Sequence, residues 1–348
     1  MRERIIAAES IGPGEELMQQ TLRPRRLAEM IGQRRVIEML SIAVQAARGR
    51  REPLEHVLLD GPPGLGKTTL AHVIANEMGA PNVRVTSGPS MARQADLMTV
   101  LTQLETGDVL FIDEVHRLPK IVEEFLYPAM EDFRVDFTIE GGLSGRVVNF
   151  ALKRFTLIGA TTRAGLLSPA MRDRFGHHYH LEYYDTDELT TILNRSTGVL
   201  EIEATDGSVS VIASRSRGTP RIANRLLKRV RDYSQVRADG VLTPRVVEEG
   251  LSIQLVDALG LDELDRSYLG VLMRVYEGGP AGIEAIAATM GQERDTLEDV
   301  VEPYLLQIGF VIRTRQGRMA ARAAYEHLGL PFPRVREPQE VAEETTLF

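Results

Sequence analysis

The chain has 348 residues, a formal net charge of −8 and no cysteine. These values exclude disulfide bonds, thiolate metal sites and a cysteine nucleophile, and they argue against a surface that is basic all over. A chain of this length is expected to form two or three domains. No apolar run approaches the length of a membrane span, and the charged N-terminal residues predict no signal peptide, so we expect a cytoplasmic protein without membrane contact.

The first 20 residues have weak periodicity and are interpreted as a loose N-terminal arm. Strand and helix patterns then alternate through residues 21–182. Apolar runs predict strands at residues 56–60, 83–86, 109–112 and 155–160. Helical spacing predicts helices at residues 34–48, 69–78 and 97–104. This alternation predicts an α/β fold, a doubly wound parallel sheet whose ligand lies at the carboxyl ends of the strands.

Residues Gly61–Thr69 read Gly-Pro-Pro-Gly-Leu-Gly-Lys-Thr-Thr and match the phosphate-loop pattern G-x-x-x-x-G-K-[ST]. An apolar strand run precedes the loop, and a helical pattern that ends at Gly79 follows it. In such a loop the backbone N–H groups surround phosphate oxygens, Lys67 reaches the β- and γ-phosphates, and the Thr68 hydroxyl holds Mg²⁺. The alternative is a chance glycine-rich turn, which the strand and helix context disfavours. The pattern predicts a nucleoside triphosphate site.

Polar residues follow the two later strands of this predicted sheet. Asp113 and Glu114 end one strand, where the aspartate can hold the hydration shell of Mg²⁺ and the glutamate can activate the attacking water. A solvent-satisfied pair of carboxylates is the alternative. Thr161 and Thr162 end the next strand, and a hydroxyl there is suited to sense the γ-phosphate, although threonine is common at strand ends.

Two further groups of charged residues have open interpretations. Arg172 and Arg174 follow a short helix that Ser168 opens, and one of them is suited to reach the γ-phosphate of a neighbouring subunit; a salt bridge with Asp173 is the alternative. Histidines occur at positions 116, 177, 178 and 180. A zinc site is conceivable, but strand alternation would divide the last three between two faces, so we interpret them as polar strand residues and propose no metal beyond Mg²⁺.

An inserted hairpin is predicted near residues 133–152, where Val148 and Phe150 share one apolar face. This face is either a docking surface for a partner or folds back on its own domain, and the pattern fits both. Residues 183–256 look entirely helical and predict a lid domain. Residues 257–333 combine three helices with a hairpin and predict a winged-helix domain, followed by a mobile tail at 334–348. Basic residues are grouped on and just beyond this second hairpin, in a pattern that suits contact with a DNA backbone: Arg313, Arg315, Arg318 and Arg322. Ordinary solvated side chains are the alternative.

Several motifs together resemble the RuvB family of bacterial AAA+ motors. The resemblance lies in the segments Gly61–Leu70, Leu110–Leu118, Ile158–Gly165, Gly218–Leu227, Glu302–Leu305 and Gly317–Ala320, and it spans about Leu22 to Pro333. It implies an AAA+ P-loop core with a helical lid and a C-terminal winged helix. It also implies an ATP- and Mg²⁺-dependent homohexamer that drives branch migration of Holliday junctions on double-stranded DNA with the partners RuvA and RuvC, in recombination, repair and the SOS response to DNA damage.

The resemblance also implies residue roles. Lys67 and Thr68 would serve phosphate and Mg²⁺, Asp113 the metal, Glu114 the water, Thr162 the first sensor, Arg221 the second sensor, and Arg174 the finger acting in trans. Further nucleotide contacts would come from Leu22, Arg23, Gly64, Gly66, Thr69, Glu131, Asp132, Phe133, Tyr184 and Pro220. DNA would contact Arg294, Arg313 and Arg318, and RuvA would dock at Val148 and Phe150. The run of residues 177–180, Met171 and the two hairpin residues depart from the family pattern.

Two other classes of function compete with this interpretation. One is a clamp-loader-like or protein-remodelling ATPase, which the basic winged helix disfavours and which DNA-stimulated hydrolysis would distinguish. The other is a DNA-binding switch that uses ATP only to change state, which the presence of Glu114 and Arg174 disfavours.

Overall fold

The computed structural model describes Ile6, residues 20–139 and residues 146–332, without the side chains of residues 137–139 and 146–148. The predicted N-terminal arm, the tip of the inserted hairpin and the predicted tail therefore lie almost entirely outside the described residues. The chain divides into two compact units, Met1–Leu251 and Ser252–Phe348.

The first unit is organised around a five-stranded sheet with the order β2-β3-β6-β1-β7, in which every neighbouring pair is parallel. Its strands are β1 (Val57–Asp60), β2 (Val83–Ser87), β3 (Val109–Asp113), β6 (Thr156–Thr161) and β7 (His177–His180). The apolar runs of β1, β3 and β6 are buried, as expected of strands covered on both faces. The predicted doubly wound parallel sheet is thus confirmed.

Helices cover the two faces of this sheet. They are α1 (Arg34–Arg50), α2 (Lys67–Met78), α3 (Gln94–Leu101), α4 (Lys120–Glu131) and the short α5 (Pro169–Arg172). Helix α4 is amphipathic: Val122, Leu126 and Met130 lie in the core, whereas the opposite face carries polar residues.

The predicted inserted hairpin is present as an antiparallel pair that is separate from the main sheet. Strands β4 (Arg134–Ile139) and β5 (Arg146–Ala151) pair with Val135 opposite Phe150. The base is anchored because Val135 is buried and the Phe133 ring packs edge-on against Phe155. Phe150 is 41% exposed, and the side chain of Val148 lies outside the described residues.

The helical lid follows the sheet, as predicted. It consists of α6 (Thr186–Val199), α7 (Ser208–Ser214), α8 (Pro220–Arg237) and α9 (Pro244–Ile253). A capping box between Asp185 and Glu188 starts α6, and Pro220 occupies the first turn of α8, where its missing N–H costs no helical hydrogen bond. Residues Ser196 and Asn224 join α6 to α8 by a buried hydrogen bond of 2.7 Å.

The second unit has the predicted winged-helix architecture. Its elements are α10 (Glu263–Arg274), α11 (Ile283–Met290), α12 (Arg294–Thr296, a π-helical turn Leu297–Val301, and Glu302–Gln307), β8 (Val311–Thr314), β9 (Gly317–Ala320) and α13 (Arg322–His327). The hairpin β8–β9 is the wing, and Val311 and Ala320 at its base are buried with the helices. No helix in the described part of the chain combines the length and apolar character needed to cross a bilayer.

Candidate nucleotide-binding site

The phosphate loop connects β1 to α2 at the carboxyl edge of the sheet. Gly61 and Gly66 adopt positive φ angles of 134° and 99°. A Cβ atom on Gly61 would lie 2.5 Å from the Leu181 carbonyl oxygen, so a side chain cannot be accommodated there. The loop therefore keeps a tight turn in front of the N-terminus of α2, which favours an anion.

Lys67 is the first residue of α2 and lies almost entirely buried beneath the loop. Its Nζ donates hydrogen bonds to the carbonyl oxygens of Gly61 at 2.7 Å and Pro62 at 2.8 Å. Burial is the main cause that lowers the pKa of Lys67 to about 8; the Asp113 carboxylate opposes this shift, and the Arg221 guanidinium adds to it. A bound triphosphate would favour the charged lysine.

The acidic pair lies beside this lysine, at the end of β3. The Glu114 backbone N–H donates to Asp113 Oδ1 at 2.9 Å, and Glu114 adopts a left-handed conformation with a φ of 47°. Its carboxylate pairs with Arg117 at 2.9 Å. The two carboxylates and the Thr68 position at the start of α2 provide the oxygen donors that Mg²⁺ prefers, so the residues fit the predicted metal.

The two threonines at the end of β6 differ in environment. Thr161 is buried, and its hydroxyl contacts His116 Nδ1 at 2.9 Å while accepting a hydrogen bond from the Arg163 backbone N–H at 3.0 Å. Thr162 is exposed, which leaves its hydroxyl available to a ligand. The sequence pattern did not predict the Thr161–His116 contact, which joins the β6 end to the turn after Glu114.

Residues of the lid domain also contact the phosphate loop. The Tyr184 hydroxyl donates to the Leu65 carbonyl oxygen at 3.2 Å, and the Arg221 backbone N–H approaches the Gly64 carbonyl oxygen at 3.4 Å. Pro220 is therefore also next to the loop. Leu22 is buried, and the charge of Arg23 contributes, after burial, to lowering the pKa of His72 on α2. Tyr184, Pro220 and Arg221 thus lie at the loop, and Arg23 lies near its helix.

A second group of predicted site residues lies at the opposite edge of the sheet. His56 precedes β1, and its Nε2 bonds to the carbonyl oxygen of Met130 at 3.0 Å, which places the end of α4 at the amino edge. Glu131, Asp132 and Phe133 follow directly. A strand of four residues spans roughly 13 Å, so these residues do not lie at the phosphate loop of their own chain.

Arg174 belongs to this second group. Its Nη2 pairs with Glu131 at 3.1 Å, and its Nη1 donates to the Ala170 carbonyl oxygen at 2.6 Å. The guanidinium carbon lies 4.1 Å from the centroid of the Tyr127 ring. The suggested salt bridge with Asp173 is replaced by this pair with Glu131.

The histidines of β7 contact Asp60 at the end of β1. His178 Nε2 and His180 Nδ1 lie 3.1 Å and 2.5 Å from the Asp60 carboxylate oxygens, and the rings of His177 and Tyr179 stack. Within residues 20–139 and 146–332, no group of three or more histidine, aspartate or glutamate side chains is arranged to hold a metal ion.

In the second unit, the three predicted DNA-contacting arginines form ion pairs. Arg313 Nε and Arg318 Nε each donate to Glu302 at 2.9 Å, and Glu302 is fully buried. Arg318 also pairs with Glu298 at 2.9 Å, and Arg294 pairs with Glu298 at 3.2 Å. The sequence pattern did not predict this network, in which the acidic residues all lie on helices.

The fold and site define a P-loop nucleotide-binding protein of the AAA+ class with a helical lid and a winged helix. The chain belongs to the RuvB family. Residues 22–181 match the Holliday junction DNA helicase RuvB P-loop domain, residues 184–257 the RuvB AAA lid domain, and residues 258–329 the RuvB C-terminal winged helix domain.

Individual relatives are similar over nearly the whole chain. A Holliday junction branch migration complex subunit RuvB of Kosmotoga olearia is 55% identical over 330 residues, which cover 95% of this chain and 96% of that protein. The Thermotoga maritima RuvB Holliday junction branch migration motor superposes with a TM-score of 0.81 at 49% identity, covering 90% of this chain and 100% of that one. A proline-to-glycine mutant of the same Thermotoga protein gives a TM-score of 0.82 at 49% identity, covering 89% and 100%.

Proposed function

We propose that this protein is an ATP-driven motor that moves Holliday junctions along double-stranded DNA, hydrolysing ATP to ADP and phosphate. Membership of the RuvB family and the combination of phosphate loop, lid and winged helix support this activity. We further propose the family's cellular setting: the cytoplasm, homologous recombination and repair, and the SOS response to DNA damage.

In the proposed reaction, each group around the phosphate loop has one task. Lys67 binds the β- and γ-phosphates, and Glu114 orients and deprotonates the attacking water. Thr68 and Asp113 would hold Mg²⁺, which neutralises phosphate charge when bound. Thr162 and Arg221 would sense the γ-phosphate. The nucleotide would be enclosed by Leu22, Arg23, Gly64, Gly66, Thr69, Tyr184 and Pro220.

The observation that carries the proposal is the separation of the site into two edges of one sheet. The phosphate loop follows β1 at the carboxyl edge, whereas Arg174 and the Glu131–Phe133 segment lie at the amino edge. A chain with this arrangement cannot complete its own site. We therefore propose the homohexamer of the family. In a ring of subunits, the amino edge of each sheet would face the phosphate loop of the neighbouring subunit.

We propose that the winged helix contacts the DNA backbone. Arg294, Arg313 and Arg318 are the proposed contacts, and phosphates would compete with Glu284, Glu298 and Glu302 for them. Arg315, at the exposed tip of the wing, forms no ion pair with any described residue. A phosphate could therefore bind this positive charge without displacing a carboxylate.

For partner binding, we propose that the inserted hairpin docks on RuvA, with RuvC as a further member of the complex. The exposed Phe150 on a hairpin outside the main sheet supports a docking surface over a hairpin packed on its own domain. We also propose the domain boundaries 21–182, 183–256 and 257–333.

The test measures ATP hydrolysis with and without duplex DNA while Arg174→Ala protein is mixed into wild type at increasing ratio. If sites are shared and turn over in coordination, DNA stimulates turnover and the variant inhibits more than dilution predicts. Arg172→Ala, which replaces an exposed arginine two residues earlier, is the matched control and should leave the turnover of the mixture unchanged. Strictly proportional loss with Arg174→Ala would refute coordinated turnover at shared sites, and an absence of DNA stimulation would favour a protein substrate.

A further inference from the structure

The Arg174 guanidinium lies against the polar face of helix α4. Glu123, Tyr127 and Glu131 are spaced four residues apart along this helix, so they form one stripe. Tyr127 provides a ring face at 4.1 Å, and Glu131 provides an oxygen at 3.1 Å. The Arg174 side chain is 21% exposed, and its Nε is buried without a hydrogen-bond partner among the described residues.

The Tyr127 ring is itself held in place by hydrogen bonds. Its hydroxyl donates to Glu123 Oε1 at 2.7 Å and lies 3.2 Å from the Ser168 hydroxyl. Ser168 also donates to Glu123, and its Oγ caps α5 by accepting the Met171 backbone N–H at 3.1 Å. Arg174 follows closely after α5, so these hydrogen bonds connect the Tyr127 ring to the helix that precedes the arginine.

We propose that Tyr127 is a positioning residue that orients the Arg174 guanidinium for the γ-phosphate of the neighbouring subunit. This proposal rests on the proposed role of Arg174 as the finger. A planar guanidinium stacked on an aromatic face is held through its flat face, so the ring occupies none of its edge N–H groups. A phosphate would compete with Glu131 and with the Ala170 carbonyl oxygen for these groups. Without the ring, the long arginine side chain would sample more rotamers, and fewer of them would direct the guanidinium towards the neighbouring phosphate.

The first experiment compares kcat and KM of Tyr127→Leu and Tyr127→Phe with wild type. Tyr127→Leu should lower kcat roughly 2- to 30-fold, the range that a cation–π contact corresponds to, with KM for ATP nearly unchanged. Tyr127→Phe keeps the ring face and should retain most of the rate. Tyr233→Leu, which removes another half-buried tyrosine bonded to a glutamate, is the control and should leave kcat unchanged. Equal losses for leucine and phenylalanine would overturn the proposal.

A second experiment asks whether the ring acts through the arginine and in trans. In an Arg174→Ala background, Tyr127→Leu should cost nothing further; an undiminished loss there would overturn the proposal. For the trans effect, wild type is mixed with Lys67→Ala subunits that either retain Tyr127 or carry Tyr127→Leu. Because the Lys67→Ala subunits contribute only their finger, those with leucine should inhibit more. Equal inhibition would overturn the proposal.

These experiments separate failure of the inference from failure of the proposed function. If Arg174→Ala inhibits in mixtures but Tyr127→Leu does not change kcat, the finger stands and the positioning role is wrong. If Arg174→Ala itself acts only by dilution, the proposed coordination of shared sites is wrong. Should the leucine variant fail to fold, phenylalanine with increasing fluorination at position 127 keeps the shape while weakening the negative ring face. A stepwise fall in kcat is expected, and a flat series would overturn the proposal.

Discussion

Tyr184 of the lid donates its hydroxyl hydrogen bond to the Leu65 carbonyl oxygen inside the phosphate loop. Burial raises the pKa of Tyr184 to about 12, so the hydroxyl remains a donor over the whole physiological range. The ring also packs closely on Gly32, where a Cβ atom would lie 2.7 Å from Tyr184 Cε1. Lid position and loop conformation are therefore linked by one side chain.

We predict that Tyr184→Phe weakens ATP binding. The lost hydrogen bond is worth about 0.5–1.5 kcal/mol, which raises Kd by roughly 2- to 12-fold. Titration of a non-hydrolysable ATP analogue measures the effect. Tyr183→Phe is the matched control, because that neighbouring hydroxyl makes no hydrogen bond with any described residue, and its Kd should stay at the wild-type value. Equal affinities for the two variants would contradict the link.

The lowered pKa of Lys67 predicts that ATP affinity depends on pH. Below about pH 8 the free protein already carries the charged lysine, whereas above this value Lys67 loses its proton. Bound phosphate favours the charged form, so binding must take up a proton above pH 8 and affinity must fall as pH rises. Calorimetry in two buffers of different ionisation enthalpy measures the uptake. Lys67→Arg remains charged and should abolish the uptake; uptake that persists in this variant would contradict the assignment to Lys67.

The buried His56 predicts a loss of stability in mild acid. Its Nδ1 accepts the Leu157 backbone N–H at 2.9 Å, so the neutral ring carries its proton on Nε2 and donates to the carbonyl oxygen of Met130. Burial lowers the pKa of His56 below its ordinary value of 6.5. A lowered folded-state pKa gives stability that is intact above pH 6.5 and is lost as the pH falls towards the folded pKa.

Denaturant unfolding between pH 5.5 and 7.5 (about one unit either side of the ordinary pKa of histidine) tests this assignment. At the upper end of this pH range, His56→Gln should be about 1–3 kcal/mol less stable than wild type. The buried Leu157 N–H and the buried Met130 carbonyl oxygen each lose their hydrogen-bond partner. The variant should also show a shallower decline towards acid than wild type. Burial also lowers the pKa of His72 and of His116, so part of the decline should remain. An identical slope in the variant and wild type would show that His56 does not titrate in this range.

Glu302 should be essential for the stability of the winged helix. It is fully buried and receives hydrogen bonds from Tyr268, Arg313 and Arg318. Glu302→Gln removes the negative charge that these arginines share, and breaking a buried pair costs about 3–5 kcal/mol. Thermal unfolding measures the loss. Glu284→Gln breaks only the exposed pair with Arg294 and should cost less than about 1 kcal/mol; equal losses in the two variants would contradict this account.

Local patterns predicted the phosphate loop, the buried strands and the winged-helix elements because each depends on neighbouring residues. The loop glycines, the apolar run of β3 and the acidic pair after it occupy adjacent positions in the chain. The strand pattern also predicted that Thr161 and Thr162 lie at one strand end. Only the contact between Thr161 and His116 in the folded structure distinguishes the two residues.

Contacts between distant segments could not be predicted in this way. The stacking of Arg174 on Tyr127 joins residues 47 positions apart (174 − 127), and it depends on where α4 lies beneath the sheet. Likewise, the pairs of Arg313 and Arg318 with Glu302 arise from packing of the wing on α12. The sequence pattern therefore indicated basic residues without their counter-ions. The family resemblance, in turn, implied nucleotide contacts at Glu131–Phe133 without indicating that these residues lie at the opposite sheet edge.

The most direct test of the motor function is movement of a synthetic four-way junction in the presence of RuvA, followed by the separation of its labelled arms. We predict that the wild-type protein separates the arms only with hydrolysable ATP and Mg²⁺, and that Lys67→Ala protein does not. If wild type hydrolyses ATP and binds the junction but leaves the arms joined at the rate seen without ATP, the proposed branch-migration activity is wrong.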